Sequence, residues 1–344
     1  MQMAQKKRRN FQKTIEIFSC HDIMSYNHIQ RLSSLLREQT ASEETGMKEG
    51  TVRLLGIGDN VSDQYVHKNT MYPGGQALNV AVFAGMQGAQ TGFLGAFGSD
   101  APAEHIQQVL KELGVDTARC RHYPGENGAA RVTLQDGDRV FLGSNKGGVL
   151  RLQPLRLEEE DLSYIRSYHV VHTSNNSYLD EELEKVKGTG VLLSYDFSLQ
   201  WKDEARLNRV APLTDLAFLS CSELDDDGAR ALMERICRLG CGLAVATRGA
   251  QGALLYDGRE FYTQPSDYVE PVDTMGAGDA FASAILVHLT PAWRAGGRVP
   301  DPEAIRTAAA AAARFSAQRC LEPGAFGHGR PIPAGYQMHI VTTP

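Results

Sequence analysis

The 344-residue chain has no apolar run of the roughly 18 residues that a membrane-crossing helix requires, so no membrane partner is expected. Positive charge is not in excess either. Its 35 Lys and Arg stand against 41 Asp and Glu, a net −6, which excludes a general nucleic-acid binder. Cysteine is sparse: Cys20, Cys120, Cys221, Cys237, Cys241 and Cys320 form no CxxC pair. Cys237 and Cys241 stand on one expected helix with no second pair to complete a zinc site, so structural zinc spacing is missing. His169 and His172 fall on an expected strand, where residues three apart point to opposite faces and do not share a metal. Two nucleotide signatures are incomplete. Gly56-x-Gly58 has Val61 where a dinucleotide fingerprint needs its third glycine, and Gly143-Ser144-Asn145-Lys146 lacks the spacing and ending of a Walker A loop. An oxidoreductase built on that fingerprint is thereby excluded. The basic cluster Lys6 to Arg9 has no apolar stretch behind it, so it is not a secretory signal, and scattered thiols point to the cytoplasm.

What is present is enough apolar sequence, 42%, to bury a full core in one large α/β domain with a small accessory piece. Residues 1–50 are polar apart from a short apolar face at Ile29, Leu32, Leu35 and Leu36, and read as a loosely ordered extension. The folded unit is expected to begin near Met47. From residue 52 the pattern changes: Val52, Leu54, Leu55 and Ile57 form a short apolar run ending in Gly58, as a strand buried on both faces does. Similar runs recur at 92–97, 168–173, 190–195, 215–220 and 242–247. Between them lie helix-period segments, such as Ala77, Val80, Ala81, Ala84 and Ile106, Val109, Leu110, Leu113. That alternation predicts a doubly wound α/β sheet flanked by helices. Residues 128–143 break it, reading as two strands joined at Asp136-Gly137. With a strand-like piece from Gln64 to Met71 they predict a small β-layer projecting from the main sheet, open between a lid and a plain edge hairpin. Alanine-rich Ala304 to Gln318 predicts a helix stopped by Pro323-Gly324.

The most informative stretch is Asp273-Thr274-Met275-Gly276-Ala277-Gly278-Asp279, which leads into the helical pattern Ala282, Ile285, Leu286, Leu289. Glycines at a helix entry leave backbone N–H groups uncovered, and with the helix dipole these make an anion site. Such a site suits a phosphoryl group in transfer. A carboxylate beside it is placed to take a proton from an attacking hydroxyl. Asp is equally a preferred helix cap, and spacing alone leaves Asp279 open between cap and base.

At this motif the chain resembles the PfkB (ribokinase-like) family of carbohydrate kinases, whose pattern DTxGAGD reads DTMGAGD here. Two further family motifs follow the family's order: Gly74-Gly75-Gln76-Ala77-Leu78-Asn79 and Thr247-Arg248-Gly249-Ala250-Gln251-Gly252. The resemblance covers roughly residues 52–330 and implies a kinase domain over 51–335, with lid strands near 63–73 and 128–145. It implies ATP as phosphoryl donor, Mg²⁺ as cofactor and Asp279 as general base. The N–H groups of Gly276, Ala277 and Gly278 would form the anion hole. Asp63, Gly74, Gly75 and Asn79 would line the sugar pocket, and Thr247, Gly249, Gly252 and Ser222 the nucleotide site. Pro323 to Gly327 falls where the family covers the adenine. Asp59 reads equally as a strand-end turn residue or a substrate ligand, and Arg139 as a lid contact or a solvated hairpin charge.

Within the family the likeness is to the fructoselysine 6-kinase branch, through Gly58-Asp59-Asn60, Pro73-Gly74-Gly75 with Asn79-Val80-Ala81-Val82, Asp138-Arg139-Val140-Phe141 and Asp196-Phe197-Ser198. That implies phosphorylation of the 6-hydroxyl of a fructose bonded to the ε-nitrogen of lysine. A fructokinase, ribokinase or nucleoside kinase of the same family, or a catalytically silent sugar-binding homologue, are the alternatives. One departure stands out. The family's Asn-x-x-Glu, which helps to organise Mg²⁺ and phosphate, reads Ser222-Glu223-Leu224-Asp225 here, leaving Asp225 as the candidate metal ligand. The family also dimerises through the lid, which makes the 128–143 hairpin the candidate homodimer surface.

Overall fold

The apolar runs become the strands of one sheet. The structure, a computed structural model, describes residues 51–135 and 138–341, and of 134, 135, 138 and 139 the backbone alone. The basic cluster at 6–9, the apolar face at 29–36, the start at Met47 and the turn at 136–137 lie outside the described residues.

In chain order the first half holds β1 (Arg53–Gly58), β2 (Val61–Tyr65), β3 (Thr70–Gly74), α1 (Gln76–Met86), β4 (Gln90–Phe97), α2 (Ala101–Glu112), β5 (Arg121–His122), β6 (Gly128–Gln135), β7 (Asp138–Ser144), α3 (Val149–Leu152) and α4 (Glu159–Arg166). The second half holds β8 (Val170–Ser174), α5 (Leu183–Gly188), β9 (Leu192–Asp196), α6 (Glu204–Val210), β10 (Leu216–Ser220), α7 (Asp226–Arg238), β11 (Leu243–Thr247), β12 (Ala253–Tyr256), β13 (Phe261–Gln264), α8 (Ala277–Gly296), α9 (Pro302–Arg319) and β14 (Arg330–Pro331).

Nine strands form the main sheet in the order β13-β12-β11-β10-β9-β8-β1-β4-β5. From β11 to β5 neighbouring strands run parallel, whereas β12 and β13 close the far edge antiparallel. Because side chains alternate along a strand, Leu55, Leu219 and Ala244 pack one face against α4 to α7, through Ile165, Val186, Leu207 and Met233. Their neighbours Leu54, Phe218 and Leu243 pack the other face, against Val80 of α1, Ile285 of α8 and Ile305 of α9. Burial of each such Leu or Phe contributes about 1.5–3 kcal/mol, which explains why these strands read as continuous apolar runs. Cys237 lies on α7, as expected, but Cys241 lies beyond its end.

The second sheet has five strands in the order β14-β3-β2-β6-β7. The single strand expected over 64–71 is in fact two. A 3₁₀ turn at Val66–Lys68 and Asn69 at φ 48° fold the segment into the antiparallel β2–β3 pair. Asn tolerates that left-handed conformation, so the reversal needs no glycine. Strands β6 and β7 are antiparallel with Gln135 opposite Asp138. The two-residue β14 carries too few residues for a periodic signal. The fold runs past residue 335. Ile332 N–H donates to Asn69 O (3.1 Å), Met338 is buried, and Val341 N–H donates to Ser144 O (3.0 Å). Among the described residues no helix is long and apolar enough to cross a membrane.

Candidate active site

Ligands of open parallel sheets bind beyond the carboxyl ends of the strands. Here the ends of β1, β8 and β9 bring Asp59, Ser174 and Asp196 side by side, with Ser174 directly opposite Asp196 in the ladder. Both Asp59 oxygens are occupied. Oδ2 accepts Gln76 N–H (2.7 Å), while Oδ1 accepts Ala77 N–H (3.2 Å) and the hydroxyls of Ser174 and Ser177 (3.1 Å each). Asp59 thereby satisfies the first amides of α1, which Gly75 at the cap position, having no side chain, does not. Gly75 has φ 113°, and a Cβ there would lie 2.6 Å from Asp59 O. A Cβ on Gly74 would lie 2.3 Å from the Asp63 Oδ2, so that glycine lets the buried Asp63 carboxylate rest on the backbone.

Asn79, one turn into α1, donates from Nδ2 to Asp279 Oδ2 at 2.7 Å. Asp279 itself is the third residue of α8. The cap position belongs to Gly276 at φ 74°, so the helix-cap reading of Asp279 does not hold. A Cβ on Gly276 would meet Ala325 Cβ at 2.9 Å. Of the expected anion-hole amides, Ala277 N–H turns back to Thr274 O (3.3 Å), while Gly278 is exposed with open space above it. Burial holds the Asp279 carboxyl well above the ordinary carboxylate value. The negative charges of Asp196, Asp59 and Asp63 reinforce that shift, and the Asn79 hydrogen bond opposes it. Burial likewise pushes Asp196 up to about 6, against hydrogen bonds from Ser198 N–H (2.7 Å) and Gln76 Nε2 (3.0 Å).

Beside the glycine turn opens a cavity of about 390 Å³. Thr247, Gly249 and Gly252 line one wall, and Ala277 and Gly278 lie at its inner end. Ser222 Oγ would stand 3.8 Å from a Cβ on Gly249. The opposite wall was not anticipated. It comprises the 265–271 segment and, from α9, Ala313, Ser316, Ala317 and Cys320. Ala313 and Ala317 share a helix face, and their small side chains leave room for a flat ring. The only sequence sign of it was the alanine-rich composition, which reads first as helix propensity. Pro323 to Gly327 does not line this cavity. Gly324 N–H donates to Asp273 Oδ2 (3.0 Å), Ala325 packs under Gly276, and Phe326 is buried in the core.

Asp273 also accepts the Tyr65 hydroxyl at 2.6 Å, which ties the lid strand β2 to the glycine motif. The side chain of Arg139 lies outside the described residues. Asp225 caps α7, its Oδ1 accepting Gly228 N–H at 2.8 Å. Among the described residues no group of three or more His, Cys, Asp or Glu side chains is placed to hold a metal ion. The side chains fit an ion carried mainly by phosphate oxygens, the usual arrangement for Mg²⁺. Sequence reasoning did not single out Gln76, Ser174, Asn176 or Asp196 as site residues. Gln76 Oε1 accepts from Asn176 Nδ2 (2.8 Å) while its Nε2 donates to Asp196, so Asn176, Gln76 and Asp196 form one hydrogen-bonded chain.

Against known proteins, the model of the pfkB family carbohydrate kinases matches residues 51–325. A fructosamine kinase of Bacillus subtilis is 38% identical over 281 residues, 81% of this chain and 95% of its own length. A fructoselysine 6-kinase of Escherichia coli is 34% identical over 258 residues, 75% of this chain and 95% of its own. Among solved structures, a fructokinase from Vibrio cholerae with fructose, ADP and calcium bound superposes with a TM-score of 0.65 at 23% identity, covering 83% of this chain and 97% of that one. At that identity the likeness concerns the fold.

Proposed function

The chain belongs to the pfkB family of carbohydrate kinases, and from that premise we propose that it transfers the γ-phosphoryl group of ATP to the 6-hydroxyl of fructoselysine or a related fructosamine. The observation that carries this reading is Asp279: buried, fixed by Asn79, and seated where the carboxylate pocket meets the glycine turn. With Oδ2 engaged by Asn79, Oδ1 is available to the acceptor hydroxyl. The raised affinity of this carboxyl for a proton makes it a better base than an exposed aspartate. As the hydroxyl oxygen bonds to phosphorus, its proton passes to Asp279 and ADP leaves. The uncovered amides at the start of α8 receive the charge on the transferring group. Asp63, Gly74, Gly75 and Asn79 border the acceptor, and Thr247, Gly249, Gly252 and Ser222 the nucleotide. Arg139, on lid strand β7, is the candidate for a further substrate contact. Mg²⁺ would enter with ATP and neutralise its phosphate oxygens. Asp225, engaged as a helix cap, is the weakest part of that assignment.

The catalytic unit begins near Met47, the polar extension before it taking no part in the reaction, and the lid is the surface through which two copies pair. The described cysteines are all free, which favours the reducing cytoplasm. A steady-state assay of ADP release with fructoselysine, fructose, ribose and a nucleoside tests the substrate. The fructosamine should give the highest kcat/KM. Turnover of a free sugar without turnover of fructoselysine would remove the substrate assignment and leave the kinase.

A further inference from the structure

The acceptor pocket holds more negative charge than proton abstraction needs. Asp59, Asp63, Asp196 and Asp279 are all buried, and the other three each act on Asp279. They are not equally occupied. A carboxylate accepts about four hydrogen bonds. Asp59 receives four and is satisfied by its own chain. Asp196 receives two, from Ser198 N–H and Gln76 Nε2, which leaves it acceptor capacity. Taking charge out of water is costly unless a partner arrives. Among the described residues no group of three or more His, Cys, Asp or Glu is placed to hold a metal ion, and an organic cation is a partner that would offset this charge. A second sign of a missing ligand lies next to it. Asn79 Oδ1 is buried with no hydrogen-bond partner, on the amide that holds Asp279.

The spacing fits one molecule. Gln76 holds Asp196 and Asn79 holds Asp279 from positions three apart on the first turn of α1. Such positions have Cβ atoms about 5–6 Å apart on one helix face. The side chains that hold the two carboxylates therefore leave α1 about one sugar ring apart. Beyond Asp196 the pocket opens, for Asn176, Tyr178 and Leu199 are exposed.

Building on the fructosamine reading above, we propose that Asp196 is the specificity-determining residue of this reaction. Its carboxylate receives the secondary ammonium that joins C1 of the ketose to the amine, and the amine's substituent leaves past Asn176 and Leu199. A charged fructosamine is then preferred to a neutral ketose, while the identity of the amine matters less. The raised proton affinity of Asp196 agrees, because a cation is the neighbour that would relieve it.

The test compares fructoselysine with free fructose in the wild type and in Asp196→Asn. The substitution should lower kcat/KM for fructoselysine at least about tenfold, mainly through KM, as loss of a charged hydrogen bond does. Turnover of fructose should fall less, by the share common to both substrates that the Asp196 charge contributes to the proton affinity of Asp279, so the ratio of kcat/KM for fructoselysine over fructose drops, and Asp196→Glu should keep that ratio. A parallel loss on both substrates, or a preference intact in Asp196→Asn, overturns the assignment while the fructosamine reading stands. A wild type that does not prefer fructoselysine overturns both. A second measurement needs no variant: a fructose with an ether oxygen in place of the amine nitrogen should be the poorer wild-type substrate, and equal turnover would refute the role of charge.

Discussion

Asp279 carries its charge against burial and against three acidic neighbours, so catalysis and stability pull on it in opposite directions. Its folded proton affinity exceeds the ordinary value of 3.8. A carboxyl raised in this way stabilises the fold fully only below its unfolded pKa, and that contribution is lost as pH rises through the folded one. Above the unfolded pKa the group is therefore a net burden to the fold. Asp279→Asn should raise the melting temperature while lowering kcat by about 10²–10⁴, the usual weight of a general base. The melting-temperature gain should be small near pH 4 and grow toward neutrality. Asp196 has the same sign, with its window between about 4 and about 6. Calorimetry across pH checks the first part and initial rates with ATP and fructoselysine the second. Unchanged turnover in Asp279→Asn would end its assignment as base.

At the scale of elements, the strands were legible because a parallel strand buried on both faces must be apolar throughout, α1 and α2 because their apolar positions recur at helical spacing, and α9 because alanine has the highest helix propensity. Asp279 and the two glycine pairs were legible because backbone constraints write themselves as glycine: Gly75 and Gly276 both need positive φ at places where a Cβ would collide. What was illegible depends on tertiary contact. Asp59 looks like any strand-end Asp until α1 brings two amides to it, and Asp196 gains meaning only beside Gln76. The tail after β14 was hidden for the same reason. Its Tyr336 hydroxyl donates to Asp100 Oδ2 (3.1 Å), the carboxylate that also receives Asn127 N–H (3.1 Å) at the root of β6. His339 N–H meets Glu126 Oε2 (3.1 Å), and Ile340 packs on Gly143 of β7. The tail thus fastens lid strands to the start of α2. Ending the chain at Pro333 should raise KM for the sugar several-fold, as when about 1 kcal/mol of the lost tail contacts is felt at the sugar site. KM for ATP, whose cavity lies elsewhere, should hardly move. Equal shifts in both constants would show that the tail supports the whole fold and not the lid.

At the scale of the whole molecule, the main sheet buries its working strands between helices, whereas the lid keeps an open edge. Strand β7 ends the lid sheet and presents Phe141, 60% exposed, and Leu142, 46% exposed, on consecutive positions. Among the described residues the tail covers the far end of this strand, at Gly143 and Ser144. An edge strand with unpaired backbone and apolar side chains associates unless something covers it, and the proposed pairing of two lids would do so. Such a pair would connect the two proposed acceptor sites, since β2 of each lid is tied through Tyr65 to Asp273 of its own glycine motif. Phe141→Lys places a charge in the middle of the edge and leaves the two packed helical layers untouched. Sedimentation should find the wild type as a dimer and the variant as a monomer, with the main unfolding transition unchanged within about 0.5 kcal/mol, as for an exposed site. A wild type that sediments as a monomer at micromolar concentration would show that the lid edge is left uncovered and that each acceptor site closes by itself.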